Sequence, residues 1–197
     1  NNPFIDGSRE IFDCAGQGRI DVFFLGGVQI DGEANVNLVG TVGEAGYPEI
    51  QRRFPGSFGS AHMYFVVPKV ILFRPEHTRR VFVPKVDFIS APGVSEPDVR
   101  RPGGPKFLVT ERCLMSFHAD RRRFKLESVH PSHTLEDVLE NTGFEFDIPE
   151  TVPMTPAPEP ERLDLLRSRI GAQIGATYPG FAARVFGIEA NSGRKAS

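Results

Sequence analysis

The sequence predicts an α/β core sheet with an antiparallel extension. Ile20–Leu25 and Lys69–Phe73 are nearly continuous apolar runs, the pattern of strands covered on both faces. Phe107–Thr110, Leu114–Phe117 and Phe124–Val129 follow one another closely, the last two facing each other across Ala119-Asp120-Arg121-Arg122 as a hairpin would. Composition agrees. With 20 Gly, 17 Pro and 17 Phe but no Trp, the chain carries too many turn residues for a helical bundle and suits Phe-rich strands on short connections.

Along the chain, Gly7–Ala15 reads as a short helix with Ser8 as N-cap and Ile11, Phe12 and Ala15 on one face, ended by Gly16 and Gly18. Ile20–Leu25 is then expected as a central strand, broken by Gly26-Gly27. Asn35–Val42 is a more polar strand candidate, and Met63–Val67 a shorter apolar run, again a strand candidate. Val81–Val83 and Val86–Ile89 bracket Pro84, which has no N–H for a ladder and is expected to end a segment. Ala91–Pro105 holds almost no core material and reads as a long loop. Thr134 caps a helix over LEDVLENTG, with Asp137 at the reciprocal capping-box position and Gly143 as its stop. Residues 149–160 form a Pro-rich extended tract, Glu161–Ile170 an amphipathic helix, and residues 191–197 a flexible tail. Residues 1–197 are read as one domain.

Charge and motifs exclude several functions. Lys+Arg 23 against Asp+Glu 25 argues against non-specific nucleic-acid binding, which needs excess cations. The longest apolar stretches are interrupted by Pro68, Lys69 and Arg74, so no membrane helix is expected. Cys14 and Cys113 allow at most one bridge; reduced thiols and a cytoplasmic location follow. Asn1-Asn2-Pro3 carries neither an initiator Met nor a signal peptide, as in a processed chain or the later part of a longer one. No metal site is expected: His62, His77, His118, His130 and His133 make no ligand spacing with the cysteines, and His130 and His133 are assigned structural or surface roles. There is no G-x-S-x-G elbow, P-loop or G-x-G-x-x-G. Arg121-Arg122-Arg123 reads as a solvated hairpin tip, with a phosphate clamp as the alternative.

Two glycine-rich segments are more specific. One is Gly26-Gly27-Val28-Gln29-Ile30-Asp31-Gly32-Glu33-Ala34-Asn35-Val36-Asn37, directly after a strand; the other is Arg53-Phe54-Pro55-Gly56-Ser57-Phe58-Gly59-Ser60-Ala61. Glycines at strand ends let backbone amides approach a ligand and face developing negative charge. The plainer reading of each is a tight turn that needs positive φ.

Together, and followed by Arg79-Arg80-Val81-Phe82, Val86-Asp87-Phe88-Ile89-Ser90-Ala91-Pro92-Gly93, Leu108–Glu111, His130-Pro131 and Asp137–Phe146, these segments resemble the β subunit of type I CoA-transferases, particularly the glutaconate and 3-oxoacid kinds. The resemblance covers roughly residues 10 to 170. It implies an open, mostly parallel sheet flanked by helices with an antiparallel hairpin extension, and an enzyme of two subunits. The implied partner is a CoA-transferase α subunit, in a heterotetramer or larger assembly. Coenzyme A, as acyl-CoA, is the implied substrate, with no permanently bound cofactor. CoA would pass between carboxylic acids through an acyl-glutamyl anhydride and a glutamyl-CoA thioester. In the family that glutamate lies further upstream than the 25 residues preceding Gly26, so no glutamate of this chain inherits the role. Gly56, Ser57, Phe58, Gly59 and Ser60 would form the oxyanion loop. Gly26, Gly27 and Gln29 would line the acyl/CoA cleft, with Asn35 and Asn37 ordering the turn beside it.

Two positions depart from the family pattern. Ala34 and Phe58 stand where the family has glycine. The G-S-x-G form of the second loop is similar to that of a diverged branch, the ring-opening hydrolases of steroid catabolism, which act on CoA thioesters without transferring CoA. A hydrolase on this scaffold is therefore the alternative function, and a non-catalytic subunit completing a partner's site is a third. Phe58 itself would either narrow the acyl pocket or anchor its loop in the core.

Overall fold

The computed structural model describes residues 6–44 and 46–188. In chain order the elements are α1 Gly7–Gly16, β1 Val22–Leu25, β2 Gln29–Ile30, β3 Val36–Asn37, β4 Gly40–Val42, β5 Ile50–Arg53, α2 Ser60–Val66, β6 Lys69–Arg74, β7 Pro105–Thr110, β8 Cys113–His118, β9 Arg123–Val129, α3 Leu135–Asn141, α4 Pro160–Leu165, α5 Gly171–Thr177 and α6 Pro179–Phe186. The chain divides into two compact units, the boundary falling between Thr155 and Pro156.

In the first unit an open five-stranded sheet runs β1-β6-β7-β8-β9. β1, β6 and β7 are parallel; β8 and β9 continue antiparallel. The fold is thus a mixed α/β sheet, with an antiparallel extension that supplies as many pairings as the parallel part. Register puts Leu25, Val70, Leu72, Leu108, Met115 and Leu126 on one face, where they are buried with Met63 and Tyr64 of α2 and Ala15 of α1. Two short ribbons, β2–β3 and β4–β5, stand beside this sheet.

Several expectations need correction. Residues 20–25 give an edge strand, β1, rather than a central one: its sole neighbour among the described residues is β6, and Val22 and Phe24 stay exposed. The apolar run is continuous although this chain covers only one of its faces. Met63–Val67 belongs mostly to helix α2, with Met63, Tyr64 and Val67 buried, positions that fall on one side of a helix. Asn35–Val42 splits into β3 and β4, which join different ribbons. Val81–Val83 is not a strand; it holds Ile30 by Ile30 N–H to Val81 O (2.8 Å) and Val83 N–H to Ile30 O (3.0 Å). The N-cap of α1 is Asp6, not Ser8, because the Asp6 side chain accepts from the Arg9 N–H (3.4 Å) while Glu10 reaches back to the Asp6 N–H (3.2 Å). The Thr134/Asp137 capping box of α3 is present in both directions.

The second unit is helical. α4 runs through a π-helical stretch, Leu166–Ile170, into α5, and α6 ends at Gly187 in the left-handed conformation. The helix expected to stop at Ile170 therefore continues, and its first segment buries no residue. Residues 191–197 lie outside the described residues.

Candidate functional site

The first glycine-rich segment turns directly after β1. Gly27 packs so closely on Val36 that a Cβ there would come within 2.8 Å of Val36 Cγ1, while Gly26 lies beside the Phe73 carbonyl. Asp31, buried, closes the turn by accepting from Glu33 N–H (3.1 Å), Asn35 N–H (3.0 Å), Asn35 Nδ2 (3.2 Å) and Val86 N–H (3.3 Å). Asn37 Nδ2 donates to Gln29 Oε1 and to Gly40 O, both at 2.7 Å. Gln29 Nε2 donates to Asp87 Oδ2 (3.2 Å), and the Asp87 N–H returns to Gln29 Oε1 (3.0 Å). Asn35 Oδ1 accepts from Gly93 N–H (3.1 Å). The GGVQID and VDFISAPG segments are thereby stitched to each other, and the amides of Gln29, Asn35 and Asn37 are spent inside the protein. Ala34 sits at φ 60°, the region glycine favours, and is held there by the Tyr64 hydroxyl donating to its carbonyl (2.7 Å).

The second segment is built differently. It leaves β5, turns at Gly56 (φ 96°) and Phe58 (φ 45°), and enters α2 with Gly59 as N-cap. Gly56 N–H donates to Leu38 O (3.0 Å) and Ser60 N–H to Ser57 O (2.8 Å), so those two donors are used. The N–H groups of Ser57, Phe58 and Gly59 have no acceptor among the described residues. The Ser60 hydroxyl is also turned inward, donating to Ser57 O. A Cβ on Gly59 would collide with the Phe12 ring of α1. Phe58 is 85% exposed and meets Phe12 at a tilt, ring centroids 5.6 Å apart, which removes the core-anchor reading of this side chain. Beside the loop a cavity of about 530 Å³ is lined by Phe12, Asp13, Gln17, Gly59 and His62.

Other polar groups are structural. His77 is buried with Nδ1 on Thr110 Oγ1 (2.8 Å) and Nε2 on Thr142 Oγ1 (2.9 Å). Thr142 already donates to Val138 O (2.7 Å), so Nε2 carries the proton. Burial, then the nearby Arg112 and His133, lower its pKa to about 4. Burial pushes the Cys113 thiol up to about 11, which leaves it unreactive near neutrality. His130 bonds Thr155 Oγ1 (2.7 Å) and Thr110 O (3.1 Å). In the Arg121–Arg123 run, Arg121 and Arg123 pair with Asp147, and Arg123 also with Glu145. Sequence reasoning assigned no role to Asp31, Asp87 or His77. The two aspartates lie inside the GGVQID and VDFISAPG motifs; Asp31 bonds locally to Glu33 and Asn35, but its contact to Val86 spans 55 residues and those of Asp87 to Val42 and Gln29 span 45 and 58, which nothing local signals.

Among the described residues no helix is long and apolar enough to cross a membrane. The profile described as Coenzyme A transferase matches residues 2–141. The chain is 34% identical over 156 residues to the B-type subunit of glutaconate CoA-transferase from Acidaminococcus fermentans, covering 76% of this chain and 56% of that protein. It is 35% identical to the B-type subunit of 3-oxoadipate CoA-transferase from Pseudomonas knackmussii, covering 77% and 59%. Among solved structures, the Rhodococcus jostii IpdAB structure superposes with a TM-score of 0.71 at 27% identity, over 81% of this chain and 64% of that one. The glutaconate coenzyme A-transferase structure from Acidaminococcus fermentans gives 0.68 at 29%, over 82% and 64%. The chain thus spans little more than half the length of the curated relatives it matches. By profile, identity and fold, this chain belongs to the coenzyme A transferase family.

Proposed function

We propose that this chain is the β-type part of a two-subunit CoA-transferase, which moves coenzyme A between carboxylic acids. The observation that carries the reading is the second loop. Three consecutive backbone donors, at Ser57, Phe58 and Gly59, are left without acceptors among the described residues, and Gly59 lines a cavity. Fixed donors of this kind stabilise the oxyanion of acyl transfer, each being worth about 10²–10³ in rate. Gly56 and Ser60, whose donors are taken up within the chain, shape the loop. Gly26, Gly27 and Gln29 are assigned to the acyl/CoA cleft in the assembled enzyme, with Asn35 and Asn37 holding their turn; in this chain Gln29 lines a separate cavity from the one beside Gly59. The partner is an α subunit that completes the site, in a heterotetramer or larger assembly in the cytoplasm; acyl-CoA is substrate and no cofactor is resident.

The hydrolase reading has its own support, the likeness to the IpdB subunit of a cholesterol ring-cleaving hydrolase, 30% identical over 168 residues. Both readings are tested on the complex with the α-type partner. Transfer of CoA to an added carboxylic acid, with an enzyme–CoA thioester trapped by borohydride, is the expected result. Steady CoA release without any acceptor acid and without a trapped adduct gives the function to the hydrolase; neither activity leaves a non-catalytic subunit.

A further inference from the structure

A cavity of about 550 Å³ opens where the parallel strands β1 and β6 end, since Gln29 follows β1 and Arg74 closes β6. Carboxyl ends of parallel strands are where open α/β sheets place their ligands. Its charged lining is Arg52, Arg74 and Arg80 against Asp87. Asp87 already receives Gln29 Nε2 and the Val42 N–H (3.0 Å). Glu76 accepts Arg80 Nη2 at 2.7 Å and Arg74 Nη2 at 3.4 Å, which fixes the two guanidinium groups relative to each other. Counting Glu76 as well, three cations face two anions, so a positive charge is left over.

Arg74 is the one of the three with a buried donor left over. Its Nε–H is shut off from solvent and has no acceptor among the described residues; its one side-chain bond is the long one to Glu76. Arg52 has no carboxylate at ion-pair distance among the described residues. Guanidinium forks that outnumber the carboxylates around them favour a planar or tetrahedral oxyanion, which accepts several N–H bonds at once. The contrast with the hairpin tip is direct, because there Arg121 and Arg123 meet Asp147.

We propose that Arg52, Arg74 and Arg80 form a subsite for an oxyanion group, a carboxylate or a phosphate ester, carried by the molecule bound beside the Gly26–Asn37 turn. The source of that group rests on the transferase reading, in which both the acyl chain and coenzyme A can carry one; the anion subsite itself does not.

The test observes the arginine Nε–H signals of the ¹⁵N-labelled chain, with that of Arg74 assigned by its loss in Arg74→Lys. The chain is titrated with glutarate, with adenosine 3′,5′-bisphosphate, and with sodium chloride at matched ionic strength. The Arg74 signal is expected to shift saturably with one of the two organic anions and not with chloride, while that of Arg122 stays in place. Arg80→Gln should weaken that binding about tenfold, the loss expected for one charge-assisted hydrogen bond. Tighter glutarate binding assigns the subsite to the acyl chain; tighter bisphosphate binding assigns it to the nucleotide end of CoA. A shift that never saturates, that chloride reproduces, or that Arg122 shares overturns the proposal. Saturable binding by a chain whose complex transfers no CoA would keep the subsite and sink the transferase reading, and the reverse result would do the opposite.

Discussion

The two glycine-rich segments read alike in sequence and differ in how their polar groups are used. In the Gly26–Asn37 turn, Asp31, Asn35, Asn37 and Gln29 bond to one another and to the chain around Asp87. In the Phe54–Ser60 loop the glycines make the bend possible, and three amides remain unpaired among the described residues. A turn saturated within itself behaves as scaffold; a loop with spare donors is where a reacting group can be held. The most polar stretch is therefore not the most chemically available one.

The sharpest way to break this comparison is to unpair the turn. Asp31→Ala strands four buried or half-buried donors at once. Buried donors left unsatisfied cost about 1–3 kcal/mol each before relaxation, so a loss of about 3 kcal/mol or more is expected in urea unfolding. A loss below about 1 kcal/mol would mean that the turn is not held by its own network.

The next effect comes from acid. His77 packs at a tilt against Phe82 (centroids 4.6 Å apart), whose neighbours Val81 and Val83 hold Ile30 in the turn. Its folded pKa of about 4 lies below the ordinary 6.5 because the charged imidazolium is poorly hydrated there. Above pH 6.5 both folded and unfolded forms are neutral and nothing is at stake. Between the two values only the unfolded chain takes up the proton, so stability falls with falling pH, by about 3 kcal/mol in all. Denaturant midpoints across this range should show that slope, and His77→Gln should flatten it. An unchanged slope in the variant would remove His77 as its source.

How much of this was legible follows from how far apart the partners lie. The capping box of α3 was readable because Thr134 and Asp137 are three residues apart. Strand β6 was readable as a continuous apolar run, and β7 to β9 from short apolar segments at turn-sized spacing. Helix α2 was not, since Met63–Val67 is too short to show its period. The edge position of β1 was not, because an apolar run reports what a strand can bury and says nothing of what covers it. Motif spacing located both glycine segments, but only the fold separates used amides from spare ones. Asp31 reaches Val86 across 55 residues, and the Gly56 amide is taken by the Leu38 carbonyl, between β3 and β4.

Within the second loop, Gly59 sharpens the contrast at smaller cost. An added Cβ meets the Phe12 ring, and overpacking of this kind costs about 1–3 kcal/mol. Gly59→Ala should lower the melting temperature accordingly, and combining it with Phe12→Ala should recover part of the loss. A double-mutant cycle reads that coupling, expected at about 1 kcal/mol. Strict additivity would place the collision elsewhere.

Phe58 is expected to give the smallest change in stability and the most informative change in function. Its ring is 85% exposed, so truncation removes little buried area. Its φ of 45° lies where a side chain is strained and glycine is not, so Phe58→Gly also relieves the backbone. The extra freedom of glycine in the unfolded chain opposes that gain, and the net should stay within about 1 kcal/mol. The donors proposed to hold the oxyanion are backbone groups and survive the substitution, so turnover with a short acyl-CoA should stay within about tenfold. If the ring borders the acyl pocket in the assembled enzyme, kcat/KM for a long acyl-CoA should rise relative to the short one. If it instead covers an interface, selectivity should stay fixed and association with the partner should weaken. Measuring melting temperature, subunit affinity and the two kcat/KM values separates these outcomes. A fall in stability of about 3–5 kcal/mol, as for truncating a buried Phe, would contradict its exposed position.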